Sequence, residues 1–190
     1  MPEQTAPRTR RRPAYERAVA TADRLFYEQG IHAVGVDQIA SAADISKASL
    51  YTHFRTKDDL VVGYLTGRST AWQELVAAEL PSRGETARDR LLAVFDMLGE
   101  WFVLPGYHGC PFINAEAEYG EGHPTHEVTL AHRDWVRQLF EGLLTEAGHD
   151  DPTGTALQLC LLYDGAMASA QADATRPWAA AARSAAGRLV

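Results

Sequence analysis

Cysteine is scarce in this chain, and its two cysteines do not suit a disulfide-stabilised domain. Cys110 and Cys160 are the only cysteines among 190 residues, and they fall in different predicted helices. A disulfide scaffold needs several paired cysteines in a short chain, so that class of secreted domain is excluded. The N-terminus is polar and arginine-rich, without the apolar segment of a secretory signal. These absences predict a protein of the reducing cytoplasm.

Long apolar runs and strand-like alternation are also missing. The most apolar stretch, residues 156–170, is interrupted by Gln158, Tyr163 and Asp164, and it falls short of a membrane span. No segment alternates apolar and polar residues over the length of a strand, whereas alanine dominates the C-terminal third and favours helices. The sequence therefore predicts an all-α protein with no membrane partner.

The motifs of common enzyme classes are absent as well. The chain has no glycine-rich phosphate loop after a strand, no Gly-x-Ser-x-Gly elbow and no metalloprotease helix motif. Serine, histidine and aspartate residues occur, but no spacing orders them into a catalytic set. We therefore expect a protein that is not an enzyme, with no catalytic residues and no cofactor.

The most informative segment is residues 36–60, where a break separates two short predicted helices. Val36, Ile39 and Ala40 recur at helical spacing, so one face of the first helix can pack inward. Ser46 suits the N-cap of the second helix, because its hydroxyl can accept a hydrogen bond from a free backbone N–H. A helix of about two turns is unstable alone in water, so packing must support it.

The outer side of that second helix carries polar groups and one cation. These side chains are Lys47, Ser49, Tyr51, Thr52 and His53. Hydrogen-bonding groups and a positive charge on an exposed short helix suit a groove edged by phosphates. The pattern is typical of a helix-turn-helix unit, whose second helix enters the major groove of DNA.

Acidic residues outnumber basic ones, and the chain carries a formal net charge of −7. Residues 1–60 contain nine basic and eight acidic residues, whereas residues 61–190 contain nine and seventeen. DNA binding needs positive charge that faces the duplex, so this distribution is compatible with it. The segment 1–13 contains four arginines and three prolines and is predicted to be a disordered basic arm. It either contacts phosphates or a minor groove, or is a solubilising tail.

Residues 14–60 resemble the DNA-binding head of the tetracycline-repressor (TetR) family of transcriptional regulators. The resemblance rests on residues 25–30, 36–40 and 46–54, above all on Leu-Tyr-x-His-Phe at 50–54, followed by Lys57. Asp44 and Ala48 depart from the family pattern, which commonly has glycine at both positions. Aspartate tolerates the left-handed backbone better than most residues, so we expect the turn to survive. We expect Ala48 to change how closely the second helix approaches a base edge, and therefore which operator sequence it recognises.

The resemblance implies a three-helix head at residues 14–60 and a long fourth helix that joins it to a helical ligand-binding and dimerisation domain at 61–190. The candidate DNA-binding residues are Gln38, Lys47, Ala48, Ser49, Tyr51, Thr52, His53 and Lys57. Tyr51 and Lys57 are expected at phosphates, and Lys47, Ser49 and Thr52 at base edges. For His53, phosphate contact and packing within the head both stay open. Leu50 and Phe54 are assigned to the core.

The last two predicted helices, near residues 152–173 and 177–189, indicate a homodimer. The first of them is apolar nearly all round and must be covered on every side, which a second copy would achieve. The resemblance implies the same arrangement, because family members pair their last two long helices. Such a dimer presents two reading helices to a palindromic double-stranded operator. Asp164, a carboxylate among apolar residues, must be paired there or in a pocket.

A second, weaker resemblance concerns Gly109-Cys110-Pro111 and Asn114, which are similar to a motif near the inducer pocket of some family members. It implies a ligand site with candidate lining residues Met97, Trp101, Phe112, Asn114, Trp135, Tyr163 and Met167. Taken singly, each aromatic residue is more simply explained as ordinary core. The predicted function is a ligand-responsive transcriptional regulator, a repressor that a small-molecule inducer releases from its operator.

The segment 106–132 combines several histidines with Cys110 and suggests two further chemistries. Cys110, His108, His123 and His126 are donor types that zinc accepts, but their spacing is loose, so no metal site is predicted. Alternatively, His108 lowers the pKa of Cys110, and the chain is a redox-sensing regulator that acts through this thiol. The simpler interpretation makes Cys110 a buried small residue at a helix start.

Overall fold

The computed structural model describes residues 13–190, and the predicted basic arm lies outside the described residues except for Pro13. The described residues form helices joined by turns, without strands, so the all-α prediction is confirmed. None of the helices in residues 13–190 combines the length and apolar character needed to cross a membrane. The chain divides into two compact units, Met1–Leu60 and Val61–Val190.

The first unit contains three helices, and local sequence signals explain where each begins and ends. They are α1 at Ala14–Gln29, α2 at Val36–Ala42 and α3 at Lys47–His53. Helix α1 ends at Gly30, whose φ of 86° lies in a region that favours glycine. Thr56 and Asp59 exchange hydrogen bonds between side chain and backbone, at 3.0 and 3.1 Å, and form the predicted capping box before α4.

A small apolar core holds these three helices together. Ile39, Leu50 and Phe54 are buried, as the sequence predicts for Leu50 and Phe54. Tyr15 of α1 lies parallel to the Phe54 ring at 5.4 Å, and it covers this end of the core although it is itself half exposed. The packing of α1 therefore supports the short helix α3, which could not persist by itself.

The second unit is built from longer helices. They are α4 at Lys57–Glu79, which begins in the first unit, α5 at Ala87–Phe102, α6 at Pro111–Tyr119, α7 at Pro124–Glu146, α8 at Pro152–Ala172 and α9 at Trp178–Ala186. A short 3-10 turn at Leu80–Ser82 follows α4. Helices α6, α7 and α8 all begin with proline, whose missing N–H costs nothing at a first helical position.

The core of the second unit lies where α5, α7, α8 and α9 pack on one another. Phe95 of α5 stacks on Phe140 of α7 at 5.8 Å, and Leu159 of α8 is fully buried. The opposite side of α8 is uncovered, with Leu157 and Leu161 exposed by 54% and 72%. This helix thus buries one face in its own chain and presents a second apolar face outward.

Candidate functional site

The reading helix α3 is held at its start by the turn that precedes it. The Ser46 hydroxyl accepts a hydrogen bond from the Ser49 backbone N–H at 3.0 Å, which confirms the predicted N-cap. Asp44 has a φ of 50°, so aspartate does occupy the left-handed position where the family commonly has glycine. The turn between α2 and α3 is therefore tight despite this departure.

Arg17 of α1 fixes the same turn from the other side. Its guanidinium donates to the backbone oxygens of Ala43 and Asp44, each at 3.0 Å. These oxygens belong to the end of α2 and to the turn, where a helix leaves its carbonyls without internal partners. No motif in the sequence singles out Arg17, because the contact spans residues far apart in the chain.

The outer face of α3 is exposed, as the helix-turn-helix interpretation requires. Lys47, Ala48, Tyr51 and Thr52 are exposed, whereas Ser49 is half buried. The Lys47 ammonium lies 2.7 Å from a carboxylate oxygen of Asp37 on α2, an exposed pair that raises the pKa of Lys47 through its hydrogen bond.

Thr52 and Tyr51 differ in whether a hydrogen bond holds the side chain against the helix. The Thr52 hydroxyl donates to the Ala48 backbone oxygen at 2.9 Å, within the same helix. Tyr51, with 45% of its surface exposed, extends beyond the helix and can reach a neighbouring molecule. Helix α3 therefore offers both a fixed hydroxyl and a projecting phenol on one face.

Three other candidate DNA-binding residues already have partners within the first unit. The Gln38 amide donates to the Gln29 side chain at 3.0 Å, and both groups are exposed. The exposed His53 ring meets the Tyr15 ring edge-on at 5.7 Å. The Lys57 ammonium donates to the Ile31 backbone oxygen at 2.6 Å and is half buried, so it fastens the start of α4 beneath α1. Their roles on DNA stay predictions.

The second unit contains a cavity of about 400 Å³ enclosed by α4, α5, α7, α8 and the start of α6. Its lining residues are Arg68, Ala71, Trp72, Leu75, Glu79, Met97, Glu100, Trp101, Leu104, Cys110, Pro111, Phe112, His132, Tyr163 and Met167. Five of the predicted lining residues are among them: Met97, Trp101, Phe112, Tyr163 and Met167. An apolar cavity of this size is typical of small-molecule sites.

The two remaining predicted lining residues lie elsewhere. The Asn114 amide donates to the His108 backbone oxygen at 2.8 Å and holds the loop before α6 in place. Trp135 lies beyond His132 on α7 and lines a separate groove with Leu139 and Leu143. Both positions depend on how α6 and α7 are rotated, which sequence spacing alone does not fix.

His132 is a cavity residue whose protonation is strongly perturbed by burial. Its ring stacks on Phe112 at 3.8 Å, and its Nδ1 lies 3.0 Å from the Ser69 hydroxyl oxygen. Burial lowers the pKa of His132 to about 4, with the neighbouring Arg133 adding to the effect. The imidazole is therefore neutral at physiological pH, and the cavity contains no imidazolium charge.

The two carboxylates at the cavity are paired with one guanidinium. Arg83 donates to Glu100 at 2.5 Å and forms a second ion pair with Glu79. These hydrogen bonds raise the pKa of Arg83 and lower the pKa of Glu100, so the charged forms are favoured together. A single guanidinium therefore holds both acidic groups, and the three side chains together keep one net negative charge.

Cys110 lies at the N-cap position of α6 and is buried, with 7% of its surface exposed. Burial raises the pKa of its thiol to about 11, so the thiolate is a small minority at neutral pH. The prediction that His108 lowers this pKa is wrong: the His108 Nδ1–H donates to the Gly106 backbone oxygen at 2.7 Å. The interpretation of Cys110 as a buried residue at a helix start is confirmed.

The remaining groups that suggested chemistry are paired with one another. His126 lies 2.9 Å from Glu116, and His123 stacks on Tyr119 at 3.8 Å. No three histidine, cysteine or acidic side chains in residues 13–190 are arranged to hold a metal ion. Asp164 forms an ion pair with Arg133 at 2.6 Å, which confirms that this carboxylate is paired.

A helix-turn-helix unit followed by a helical body with an apolar cavity defines a transcriptional regulator. The family "Bacterial regulatory proteins, tetR family" matches residues 18–63. SCO4454, a TetR-family transcriptional regulator from Streptomyces coelicolor, is 34% identical, with a TM-score of 0.86 and 93% of each chain covered. The chain therefore belongs to the TetR family of DNA-binding transcriptional regulators, which are not enzymes.

Two further relatives are also HTH-type transcriptional regulators. The HTH-type transcriptional regulator YjdC of Escherichia coli is 26% identical over 156 residues, or 80% of each chain. The HTH-type transcriptional repressor NemR of the same organism is 28% identical over 104 residues, which span 54% of this chain and 52% of NemR. The solved reduced form of NemR is 22% identical, with a TM-score of 0.81, and covers 91% of this chain and 94% of that one.

Proposed function

We propose that this protein is a repressor that binds a palindromic operator as a homodimer and leaves it when a small molecule fills the cavity. The observation that carries this proposal is the outer face of α3. That face is exposed, while Ser46 and Arg17 fix the turn before it. A helix held rigidly and left uncovered is suited to insertion in the major groove.

The side chains of α3 differ in length and exposure and therefore suit different contacts with DNA. Tyr51 has a long side chain with 45% of its surface exposed and suits a phosphate oxygen, which it would bind on any sequence. Ser49 and Thr52 lie close to the helix axis and suit base edges. Lys47 reaches DNA by exchanging the Asp37 carboxylate for a phosphate or a guanine.

Dimerisation is supported by the uncovered face of α8. Leu157 and Leu161 lie one turn apart on this face, followed by the exposed small residues Gly165 and Ala168. Large apolar side chains at one end and small residues at the other allow two copies of the helix to cross closely. Helix α9, which packs beside α8, would complete a four-helix interface.

The link between ligand and DNA runs through α4. This helix begins at Lys57 and contributes Arg68, Trp72, Leu75 and Glu79 to the cavity wall further along. A ligand that prefers one position of these side chains shifts the population of α4 positions, and with it the spacing of the two heads in the dimer. A coupling of roughly 1–3 kcal/mol would change operator affinity by five- to 150-fold.

Selection of bound duplexes from a random pool, followed by fluorescence anisotropy, tests this function. We expect enrichment of an inverted repeat, a dimer in sedimentation analysis, and an affinity that falls steeply with salt. Monomeric protein at micromolar concentration that selects no duplex at low salt would contradict the proposal.

A further inference from the structure

We infer that helix α3 reads a thymine in each half of the operator through the methyl groups of Ala48 and Thr52. This inference rests on the proposed function, in which α3 enters the major groove, and it names the base that the helix recognises there. It depends on the place of the two residues on the helix, on the internal bond of the Thr52 hydroxyl and on the small size of both side chains.

Ala48 and Thr52 lie at the centre of the exposed face of α3. Leu50 is only 1% exposed and marks the direction of the core. Successive residues of an α-helix are turned by about 100°, so the positions two before and two after Leu50 each point about 160° away from it. The residues at these positions, Ala48 and Thr52, are both exposed. They are therefore the side chains that a groove floor would meet first.

The other polar side chains of α3 lie on either flank of this pair. Lys47 and Tyr51 are exposed on one side. Ser49, which is half buried, and His53, which is exposed, follow the other side. Phosphates border the major groove of a duplex, and base edges form its floor. The arrangement therefore directs polar side chains toward the rims of the groove and two small side chains toward the bases.

The Thr52 hydroxyl is turned back along the helix, which leaves the methyl group as the outward part of this side chain. The hydroxyl donates to the Ala48 backbone oxygen, one turn earlier, at 2.9 Å. This bond uses the only hydrogen that the hydroxyl has. Threonine can make such a bond inside a helix without leaving its helical backbone conformation. Ala48 and Thr52 thus present two methyl groups on the same face, one turn apart.

A methyl group in the major groove identifies thymine. Among the four bases only thymine carries a methyl group there, and alanine and threonine methyl groups are among those that contact it. The edges of adenine, guanine and cytosine present hydrogen-bonding groups in its place. Such a group would lose its bond to water against two methyl groups, without compensation. The pair therefore favours thymine over the other bases.

The spacing of Ala48 and Thr52 suits a single thymine methyl group. Cβ atoms four residues apart on a helix are separated by about 6 Å. Carbon atoms in contact lie about 4 Å apart, so one methyl group can touch both side chains at once. Glycine, which the family commonly has at position 48, would offer no methyl group. The complete pair thus depends on the alanine of this chain.

Replacement of thymine by deoxyuridine in a selected operator tests the inference, because it removes the methyl group and leaves base pairing unchanged. Each thymine is replaced in turn in both halves of the repeat, and the affinity of the full chain is measured by fluorescence anisotropy. We expect one thymine in each half whose replacement weakens binding by about fourfold, the contribution of one buried methyl group, or about fifteenfold when both halves change. Thymines outside the repeat are the control and should have no effect.

Two variants at position 52 assign the effect to the methyl group. Thr52→Ser keeps the hydroxyl and removes the methyl group, so the cost of deoxyuridine should fall to about twofold or less in each half. Thr52→Val keeps a methyl group and removes the hydroxyl, so the cost of about fourfold should remain. Thr66→Ser, at an exposed position of α4, is the matched control and should behave as the natural chain.

Ala48→Gly removes the other methyl group of the pair. The cost of deoxyuridine should again fall to about twofold or less in each half. Glycine also lowers helix propensity, but each variant is compared on two duplexes that differ only in the methyl group. A general weakening of α3 therefore cancels in the ratio of the two affinities.

The outcomes separate this inference from the function on which it rests. If the natural chain binds its operator but no thymine responds to loss of its methyl group, the function stands and the inference fails. The inference also fails if Thr52→Ser discriminates as the natural chain does, or if Thr52→Val loses the discrimination. If the full chain selects no duplex at low salt, the proposed function and the inference fail together.

Discussion

The polar groups of α3 and those of the cavity wall differ in whether water can reach them. On α3, Lys47 and Thr52 have partners within the first unit and are also exposed. In the cavity, the Trp72 N–H is buried without a partner among the described residues. We therefore expect DNA to exchange bonds that already exist on α3, as at Lys47, whereas a cavity ligand meets a mostly apolar wall. We expect the first kind of binding to be sensitive to salt, and the second to the shape and apolar area of the ligand.

The largest expected effect is a loss of operator affinity when the dimer is broken. The substitution lies in α8, so α3 itself stays intact. Leu161→Asp places a charge in the exposed apolar face of α8, where two copies would meet. We expect a monomer whose operator affinity falls by about a hundredfold or more, because the second head loses its effective concentration. Sedimentation and anisotropy measure this, with Gln158→Ala, an exposed position on the same helix, as the control. A dimeric Leu161→Asp protein would place the interface elsewhere.

The next prediction concerns pH and the buried imidazole. In the folded chain His132 has a pKa of about 4, against 6.5 for the exposed group, so between these values the unfolded chain binds more protons. Stability should therefore fall as pH drops from 6.5 to 4, by about 3 kcal/mol for this group alone.

Urea denaturation across that pH range measures the effect. A His132→Asn variant has an amide oxygen that can accept from Ser69 but no group that titrates there, so its stability should depend less on pH over the same range. A variant whose pH dependence matches that of the natural chain would show that other groups cause it.

A smaller effect distinguishes the two kinds of contact within α3. Tyr51→Ala should weaken binding by about tenfold on specific and nonspecific duplexes alike, because it removes a phosphate contact. Thr52→Ala should instead change the preferred sequence, with little change on nonspecific DNA. Competition binding with a panel of single-base operator variants measures both. If Tyr51→Ala alters preference and Thr52→Ala does not, their assignments are reversed.

The smallest prediction concerns the turn. Asp44 adopts a left-handed backbone with φ of 50°, which costs an L-residue more than glycine. Asp44→Gly should therefore stabilise the chain by about 0.5 kcal/mol, after the greater flexibility of the unfolded glycine is taken into account. Thermal unfolding measures the change, with Ala42→Gly, at the last residue of α2, as a control that should destabilise. A less stable Asp44→Gly protein would show that the aspartate side chain stabilises the turn.

The first unit could be predicted closely because its signals are local. Ser46 as an N-cap, the box formed by Thr56 and Asp59, and the burial of Leu50 and Phe54 each follow from a few neighbouring residues. The contact of Arg17 could not be predicted, since it depends on the path of the chain between α1 and the turn.

The cavity is predicted less well because five helices must come together to form it. Its apolar candidates were found through their residue types, but Asn114 and Trp135 face other surroundings, and Trp72 carries no sequence signal that separates it from core. The prediction that His108 lowers the pKa of Cys110 was wrong because it, too, depended on tertiary packing. Adjacency to His108 in sequence says nothing about burial, which controls this thiol.

The ion pair between Lys47 and Asp37 affects how such a regulator would find its operator. A carboxylate 2.7 Å from the lysine competes with every phosphate that the reading helix meets. On an unrelated duplex we expect this competitor to shorten the residence time, because only a few other contacts would form. On the operator, base contacts made at the same moment would hold the helix long enough for the exchange to persist. If Lys47 contacts DNA as proposed, we expect the acidic neighbour to weaken nonspecific binding and so to speed the search along the chromosome.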